Sequence, residues 1–185
     1  IEHTTMAVYF NSTKDIVKGN RNSSSPVALF IIVCRDINCF SEIYPKMKDR
    51  VIHCNNIINY EKIENLSNET IEETKKTYTF VNVGRHDERQ KRLTRLIEVA
   101  EMLKNDGLKF KILFVGDGQD GNLYRQMVEE KNLEDYITFL GKKKNPYPYY
   151  KISDCVVLTS DYEGYPVVFL ESMILKKTII MKKNK

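Results

Sequence analysis

The second half of the chain alternates short apolar runs with segments in which apolar residues recur at helical spacing. Short continuous apolar runs are consistent with buried strands, whereas a period near 3.6 residues predicts a helix. The predicted strands are 78–83, 110–115, 136–140, 155–159 and 178–181, and the predicted helices are 91–104, 122–131 and 167–175. This alternation predicts an α/β fold, with a parallel sheet and helices on both of its faces.

The first half of the chain carries a weaker pattern. Apolar runs at 27–34 and 50–54 predict two strands, and residues 36–44 predict a short helix that ends near Pro45. Residues 60–77 are charged and mixed, which favours a linker. We therefore divide the chain into residues 1–59, a linker at 60–77 and a domain at 78–185. Because the chain starts at Ile1 rather than Met and stops just after a strand, we expect both ends to be truncated.

The loops that follow the predicted strands are expected to form one site. In a parallel α/β sheet, ligands bind outside the carboxyl ends of the strands. The loops after Val83, Val115, Leu140 and Thr159 all lie at that edge and can converge.

Composition and charge narrow the classes of function. The 185 residues are 42% apolar, which is enough for a core, and the net charge of +4 comes from basic residues that are mixed with acidic ones. Residues 142–150 combine three lysines with tyrosines, but prolines interrupt this short patch, so we predict a solvated loop with Tyr150 packed inward. Nucleic-acid binding is therefore not expected, whereas an anionic ligand is compatible with the charge. The longest apolar run is too short to span a bilayer, so any membrane contact would be peripheral.

The cysteines and histidines predict neither disulfides nor a metal site. No C-x-x-C pair is present, and we interpret the cysteines as free thiols in a reducing cytoplasm. The histidines are far apart and match no zinc spacing. These residues are Cys34, Cys39, Cys54, Cys155, His3, His53 and His86.

Residues 116–121 match the pattern G-x-G-x-x-G between a strand and a helix, which is typical of dinucleotide-binding folds. That reading requires an acidic residue near the end of the next strand to bind the ribose. The next strand ends at Leu140 and Gly141, where no carboxylate stands. A nicotinamide-dependent oxidoreductase therefore remains only a weaker alternative.

The stretch at residues 160–173 carries the main candidate chemistry. It runs from a buried strand through a tight turn at Gly164 into a helix that we predict to begin at Pro166. Backbone N–H groups and the positive end of a helix dipole favour an anion at such a turn. Glu163 lies in the turn and Glu171 lies in the helix, so the two carboxylates can hold different parts of one extended ligand.

Two glutamates seven residues apart, with a glycine and an aromatic residue after the first, resemble the signature of the retaining family 4 glycosyltransferases. Arg85 and Lys91, after the first strand of the domain, fall on positions that contact the donor's phosphates in that family. The resemblance implies the Rossmann-like C-terminal domain of a GT-B fold. Residues 27–59 resemble, more loosely, the closing elements of the N-terminal, acceptor-side domain, so residues 1–59 would be a remnant of that domain.

The resemblance also implies roles for individual residues. Arg85 and Lys91 would bind the diphosphate, Glu163 the donor sugar and Glu171 the ribose hydroxyls. Further substrate contacts are expected from Gly84, Gly116, Gly141, Gly164, Tyr165 and Val167. No metal or other cofactor is expected, because fixed cations can stabilise the leaving diphosphate. Pro166 departs from the commoner glycine and removes one N–H donor, which puts the backbone contacts there in doubt.

The implied function is transfer of a sugar from a nucleotide diphosphate sugar, by default a UDP-sugar, to an acceptor hydroxyl. The expected acceptor is a carbohydrate or a lipid-linked molecule in bacterial surface polysaccharide or glycolipid synthesis. The expected location is the cytoplasm, with possible contact at the inner face of the membrane. A non-catalytic module that binds a nucleotide sugar remains an alternative.

Overall fold

A computed structural model of the protein describes residues 9–10, 30–32, 51–53, 58–163 and 166–182. The chain divides into two compact units, Ile1–Ile57 and Ile58–Lys185. Each unit is described separately below.

The first unit contains a three-stranded sheet. Its strands are β1 (Tyr9–Phe10), β2 (Phe30–Ile32) and β3 (Val51–His53). β1 is antiparallel to β2, and β2 is parallel to β3. β2 and β3 lie within the two apolar runs that predict strands, whereas the predicted helix at 36–44 lies outside the described residues.

The second unit is built on a five-stranded sheet. Its strands are β4 (Tyr78–Val83), β5 (Phe110–Val115), β6 (Ile137–Gly141), β7 (Cys155–Leu158) and β8 (Thr178–Met181). They are parallel throughout, and the spatial order is β6-β5-β4-β7-β8. This Rossmann-like arrangement confirms the predicted α/β fold class.

Six helices accompany this sheet in the described part of the second unit. They are α1 (Tyr60–Leu66), α2 (Glu88–Lys91), α3 (Leu93–Asn105), α4 (Gly121–Glu130), α5 (Tyr147–Ile152) and α6 (Val167–Ile174).

The helices cover both faces of the sheet because alternate strand residues point to opposite sides. On one face, Ile112 and Phe114 of β5 pack in a buried cluster with residues of α3 and α4. On the other face, Leu113 and Val115 pack with α5 residues, and Val168 of α6 lies against that cluster. Burial of both faces explains why apolar residues predominate in β5 and β7, without strict alternation with polar ones.

Three segments differ from the predicted pattern. The segment predicted as a linker begins with α1, which is capped by Asn59 and packs near α5 and α6. The Pro/Tyr-rich connection contains the helix α5, with Tyr150 fully buried as predicted. The predicted helix 91–104 is broken at Arg92, which has a left-handed φ of 50°.

Cys155 is a buried free thiol, as predicted; the other three cysteines lie outside the residues whose side chains are described. Among the described residues, none forms a helix that is both long and apolar enough to cross a bilayer.

His86, in the loop after β4, is a buried polar residue without a hydrogen-bond partner for either ring nitrogen in the described part of the chain. Its ring meets those of Phe114, Tyr124 and Phe139 edge to face. Burial lowers the pKa of His86; the charge of Asp117 opposes this shift and that of Arg125 adds to it.

The unpartnered ring of His86 leads to a prediction about stability and pH. Because the folded state holds the pKa below the ordinary value, the unfolded chain binds a proton more readily. This contribution to the free energy of unfolding is complete above about pH 6.5 and is lost as the pH falls towards the lower, folded-state pKa. Urea unfolding between pH 7.5 and 5 should show the loss.

The variant His86→Leu removes both the titration and the buried unpaired nitrogens. It should flatten the pH dependence in this window and raise the free energy of unfolding at pH 7.5 by about 1 kcal/mol or more. An equal slope in the variant and the wild type would show that other groups cause the pH dependence.

Candidate functional site

The centre of the sheet provides the position for a site. The chain leaves β4 towards β5 on one side and returns to β7 on the other, so the strand order reverses between β4 and β7. Open α/β sheets bind ligands in the crevice at such a switch point, outside the carboxyl ends of the strands. The loops after β4 and β7 flank this point.

A largely buried ion pair joins these two loops. Lys91 Nζ lies 2.5 Å from Glu163 Oε1, and the side chains are only 18% and 14% exposed. The aliphatic part of Lys91 folds over Gly84, because its Cε lies 3.6 Å from the place where a Cβ would stand on that glycine. The pair sets one fixed cation and one fixed carboxylate beside each other at the switch point.

Arg85 belongs to the same group of loops. Its side chain is exposed, and its guanidinium donates to Gln90 Oε1 at 3.0 Å. Gln90 in turn donates from Nε2 to the Tyr162 carbonyl at 3.3 Å and accepts from the Asp161 backbone N–H at 2.9 Å. Arg85 is therefore connected to the loop that carries Glu163 and keeps donors available to solvent.

Asp161 anchors the helix break that follows Lys91. Its carboxylate accepts from Arg92 Nε and from Arg95, both at 2.6 Å, and also from Lys182. Hydrogen bonds from these three cations hold the pKa of Asp161 far below its ordinary value. A non-glycine residue stays in the left-handed region only where its surroundings hold it there. Asp161 supplies that restraint, and Thr159 fixes the Lys91 carbonyl from the same loop at 2.7 Å.

This role of Asp161 was not predicted from the sequence. Its partners come from α3, from the residue between α2 and α3, and from the end of β8, so no local spacing marks the cluster. A carboxylate directly after a buried strand was the only available signal.

Glu171, on α6, lies in a second polar group. Its two carboxylate oxygens accept from the hydroxyls of Tyr147, at 3.1 Å, and Tyr150, at 2.7 Å. Burial, with the nearby Glu171 charge, raises the pKa of Tyr147 to about 12 and that of Tyr150 well above its ordinary value. Both tyrosines therefore remain neutral donors at physiological pH.

Three glycines close the loops at this edge. Gly116 has φ 147°, and a Cβ there would lie 1.8 Å from the Gly84 carbonyl oxygen. The Gly84 N–H donates to the Val115 carbonyl at 3.0 Å, and the Gly116 N–H donates to the Gly141 carbonyl at 2.9 Å. The glycines thus permit close backbone contact between the loops after β4, β5 and β6.

The structure places the predicted site residues in different surroundings. The switch point brings together Lys91, Glu163 and Gly84. Arg85 is connected to them through Gln90, and Gly116 and Gly141 support the loops. Glu171 forms its own group with the tyrosines. Val167 is the exposed first residue of α6, whereas Gly164 and Tyr165 lie outside the described residues.

Pro166 stands one position earlier in the helix than predicted. It is the N-cap of α6, which begins at Val167, and it makes no side-chain capping bond. The ring of proline carries no hydrogen-bond acceptor, so the N-terminal turn of α6 is not capped by the side chain of Pro166.

The described residues bring together no group of three or more His, Cys, Asp or Glu side chains suited to a metal ion.

Comparison with known proteins identifies relatives over most of the second unit. The model of the family described as "Glycosyl transferases group 1" matches residues 63–185. An uncharacterized glycosyltransferase of Methanocaldococcus jannaschii is 29% identical over 142 residues, which are 74% of this chain and 35% of the relative. The poly(ribitol-phosphate) alpha-N-acetylglucosaminyltransferase of Staphylococcus aureus is 36% identical over 92 residues, or 49% of this chain and 18% of the relative.

Solved structures share the fold at low identity. TarM of S. aureus, solved as a mutant in complex with Fondaparinux, alpha-GlcNAc-glycerol and UDP, matches with a TM-score of 0.64 at 24% identity, over 84% of this chain and 30% of TarM. HepE of Anabaena, solved in complex with UDP, matches with a TM-score of 0.65 at 15% identity, over 84% of this chain and 45% of HepE. The chain spans about a third or less of the curated relatives just described.

Proposed function

The chain belongs to the group 1 glycosyl transferases, which have a GT-B fold, and we propose that it binds the donor in transfer of a sugar from a nucleoside diphosphate sugar to an acceptor hydroxyl. The observation that carries this proposal is the Lys91–Glu163 pair at the switch point of the sheet. It places a cation for a phosphate and a carboxylate for sugar hydroxyls next to each other, as the junction of a nucleotide sugar requires.

The chemistry of transfer explains the need for fixed cations. The bond between the anomeric carbon and the β-phosphate oxygen breaks, and that oxygen keeps the electron pair. The acceptor oxygen bonds to the anomeric carbon, with retention of configuration, and its proton passes to the departing diphosphate or to water. Arg85 and Lys91 would stabilise the charge that grows on the diphosphate, without a metal ion.

Glu163 and Glu171 would hold the two ends of the donor. Glu163 would accept from hydroxyls of the sugar while it keeps Lys91 in place, and Glu171 would accept from the ribose. Gly164 and Tyr165, which precede α6 in the sequence, would add backbone contacts to the sugar and phosphate oxygens. The uncapped start of α6 at Val167 favours an anionic group there.

The identity of the donor and acceptor follows the relatives. UDP is the nucleotide named with both TarM and HepE, so we take a UDP-sugar as the donor. Two further relatives are described as a capsular polysaccharide biosynthesis glycosyltransferase of S. aureus and a lipopolysaccharide 1,6-galactosyltransferase of Escherichia coli, so we propose a carbohydrate or lipid-linked acceptor of that kind. Transfer of a sugar to such an acceptor favours a cytoplasmic location for the protein, with peripheral contact at the inner face of the membrane.

Two other functions are alternatives to donor binding for sugar transfer. A module that binds a nucleotide sugar without transfer remains the second candidate, because the Lys91–Glu163 pair would hold a donor whether or not an acceptor binds beside it. A nicotinamide site is disfavoured, because Gly116 and Gly118 are both needed for packing. A Cβ on either residue would clash with the backbone of the loop after β4. The glycine pattern thus has a structural explanation that needs no dinucleotide.

Calorimetric titration with UDP, GDP and NAD in the presence of EDTA tests the proposal. We expect UDP to bind, and Arg85→Ala to weaken its binding by about tenfold or more, because a charge-assisted hydrogen bond to phosphate is lost. Arg89→Ala, at another exposed arginine four residues away in α2, is the matched control and should leave the affinity unchanged. Binding of NAD alone, or of none of the three by a folded chain, would contradict the proposal.

A further inference from the structure

The carboxylate of Glu171 is held at both oxygens by one short helix. Tyr147 and Tyr150 are three residues apart on α5, so their side chains lie on the same side of that helix. Tyr147 donates to Oε1 at 3.1 Å and Tyr150 donates to Oε2 at 2.7 Å. The two hydrogen bonds restrain the plane of the carboxylate, because a carboxylate held by only one hydrogen bond could still rotate about that bond.

The direction of these bonds is fixed by the chemistry of the groups. An ionised carboxylate only accepts, and a neutral phenol has one proton to donate. Tyr150 is fully buried and Tyr147 is partly buried, and their raised pKa values keep both protonated. The tyrosines therefore act on Glu171 as two permanent donors.

The restrained carboxylate keeps capacity for a specific kind of ligand. Its two oxygens offer about four acceptor positions, of which the tyrosines use two. One position remains on each oxygen, at a fixed orientation. Two neighbouring hydroxyl donors match this pair of positions, whereas a ligand with one hydroxyl leaves one position empty.

We propose that Tyr147 and Tyr150 are positioning residues that make Glu171 select a ribose over a 2′-deoxyribose nucleotide. The inference rests on the proposed function, which supplies the nucleotide, and it adds the residues that set the selectivity. A freely rotating glutamate could follow whichever hydroxyl is present, so it would discriminate less. A glutamate fixed at both oxygens loses one of two bonds when the 2′-hydroxyl is missing.

The test compares the affinities of UDP and 2′-deoxyuridine diphosphate. The wild type should favour UDP by about tenfold or more, since a hydrogen bond to a charged group is lost with the deoxy ligand. In Tyr147→Phe this ratio should fall by about fivefold, because only one restraint on Glu171 remains. Tyr150→Phe should lower the ratio in the same direction.

Tyr149→Phe is the matched control on the same helix. Tyr149 is buried, its ring faces Lys143, and no hydrogen bond joins it to Glu171 among the described residues. It should leave the ratio unchanged. Circular dichroism confirms that each variant is folded before its titration is interpreted.

The outcomes separate the two proposals. If the wild type does not bind UDP, the proposed function fails and the inference fails with it. If UDP binds but Tyr147→Phe weakens both nucleotides equally, the tyrosines are merely structural and only the inference is overturned. If the wild type binds both nucleotides equally, Glu171 does not select ribose and the inference is likewise overturned.

Discussion

Lys91→Met should weaken the binding of UDP by about 10- to 150-fold, the value of one hydrogen bond to a charged group. Lys91 is the least exposed cation at the switch point, at 18%, and low exposure strengthens its interaction with a phosphate. Methionine keeps most of the length and apolar contacts of the side chain, including those over Gly84. The loss should therefore report the charge rather than the packing.

Glu163→Gln should have the opposite effect on the same measurement. In the structure the charge of Lys91 is neutralised by Glu163 at 2.5 Å, and glutamine removes that negative charge while keeping the shape. The affinity for UDP, which lacks the sugar, should stay equal or rise, whereas transfer of the sugar should fall. This contrast in sign distinguishes a phosphate-binding lysine from one that only supports the fold.

Calorimetry on folded protein measures both affinities. Lys62→Met, on the exposed surface of α1, is the control for the substitution itself and should bind UDP as the wild type does. Unchanged binding in folded Lys91→Met would refute a role for Lys91 at the diphosphate. Equal weakening by Lys91→Met and Glu163→Gln would show that the pair acts as one structural unit.

The strands of the second unit were predictable because their signal is local. Tyr78–Val83, Phe110–Val115 and Thr178–Met181 have the predicted bounds. β4 and β5 lie in the middle of the sheet, where helices cover both faces. Most of their side chains are therefore apolar, and a short stretch of sequence is enough to show this.

The helix α5 was missed for an equally physical reason. Two prolines within three residues argue against a helix when only the sequence is read. In the structure Pro146 is the N-cap and Pro148 lies in the first turn, where the missing N–H groups have no helical partner in any case. The position of a proline in a helix, rather than its presence, decides its effect.

The break at Arg92 could not be predicted, because its restraint comes from far along the chain. Residues 91–104 have a continuous helical pattern, and Arg92 is an ordinary helix-forming residue. Asp161, which is 69 residues away in sequence, holds Arg92 after the fold has formed. The Lys91–Glu163 contact has the same origin: each residue could be predicted as a donor contact, but their pairing across 72 residues could not.

Gly116→Ala should lower the free energy of unfolding by about 2–6 kcal/mol, from backbone strain together with overpacking. A Cβ at residue 116 would lie 1.8 Å from the Gly84 carbonyl oxygen and 2.9 Å from its carbon. Both atoms belong to the backbone of Gly84, whose N–H is bonded to the Val115 carbonyl at 3.0 Å, so a shift that relieves the clash would disturb the contact between the two loops. Since domains are stable by about 5–15 kcal/mol, this loss is a large part of the total.

Gly107→Ala separates the two causes of the effect. Gly107 also has a positive φ, of 74°, but nothing lies within 4 Å of the place for its Cβ. This control should lose only about 1–2 kcal/mol, the cost of a left-handed conformation for alanine. Urea unfolding followed by circular dichroism gives both values. If the two variants lost the same stability, the close approach of Gly116 to Gly84 would not be a constraint on the loops that form the site.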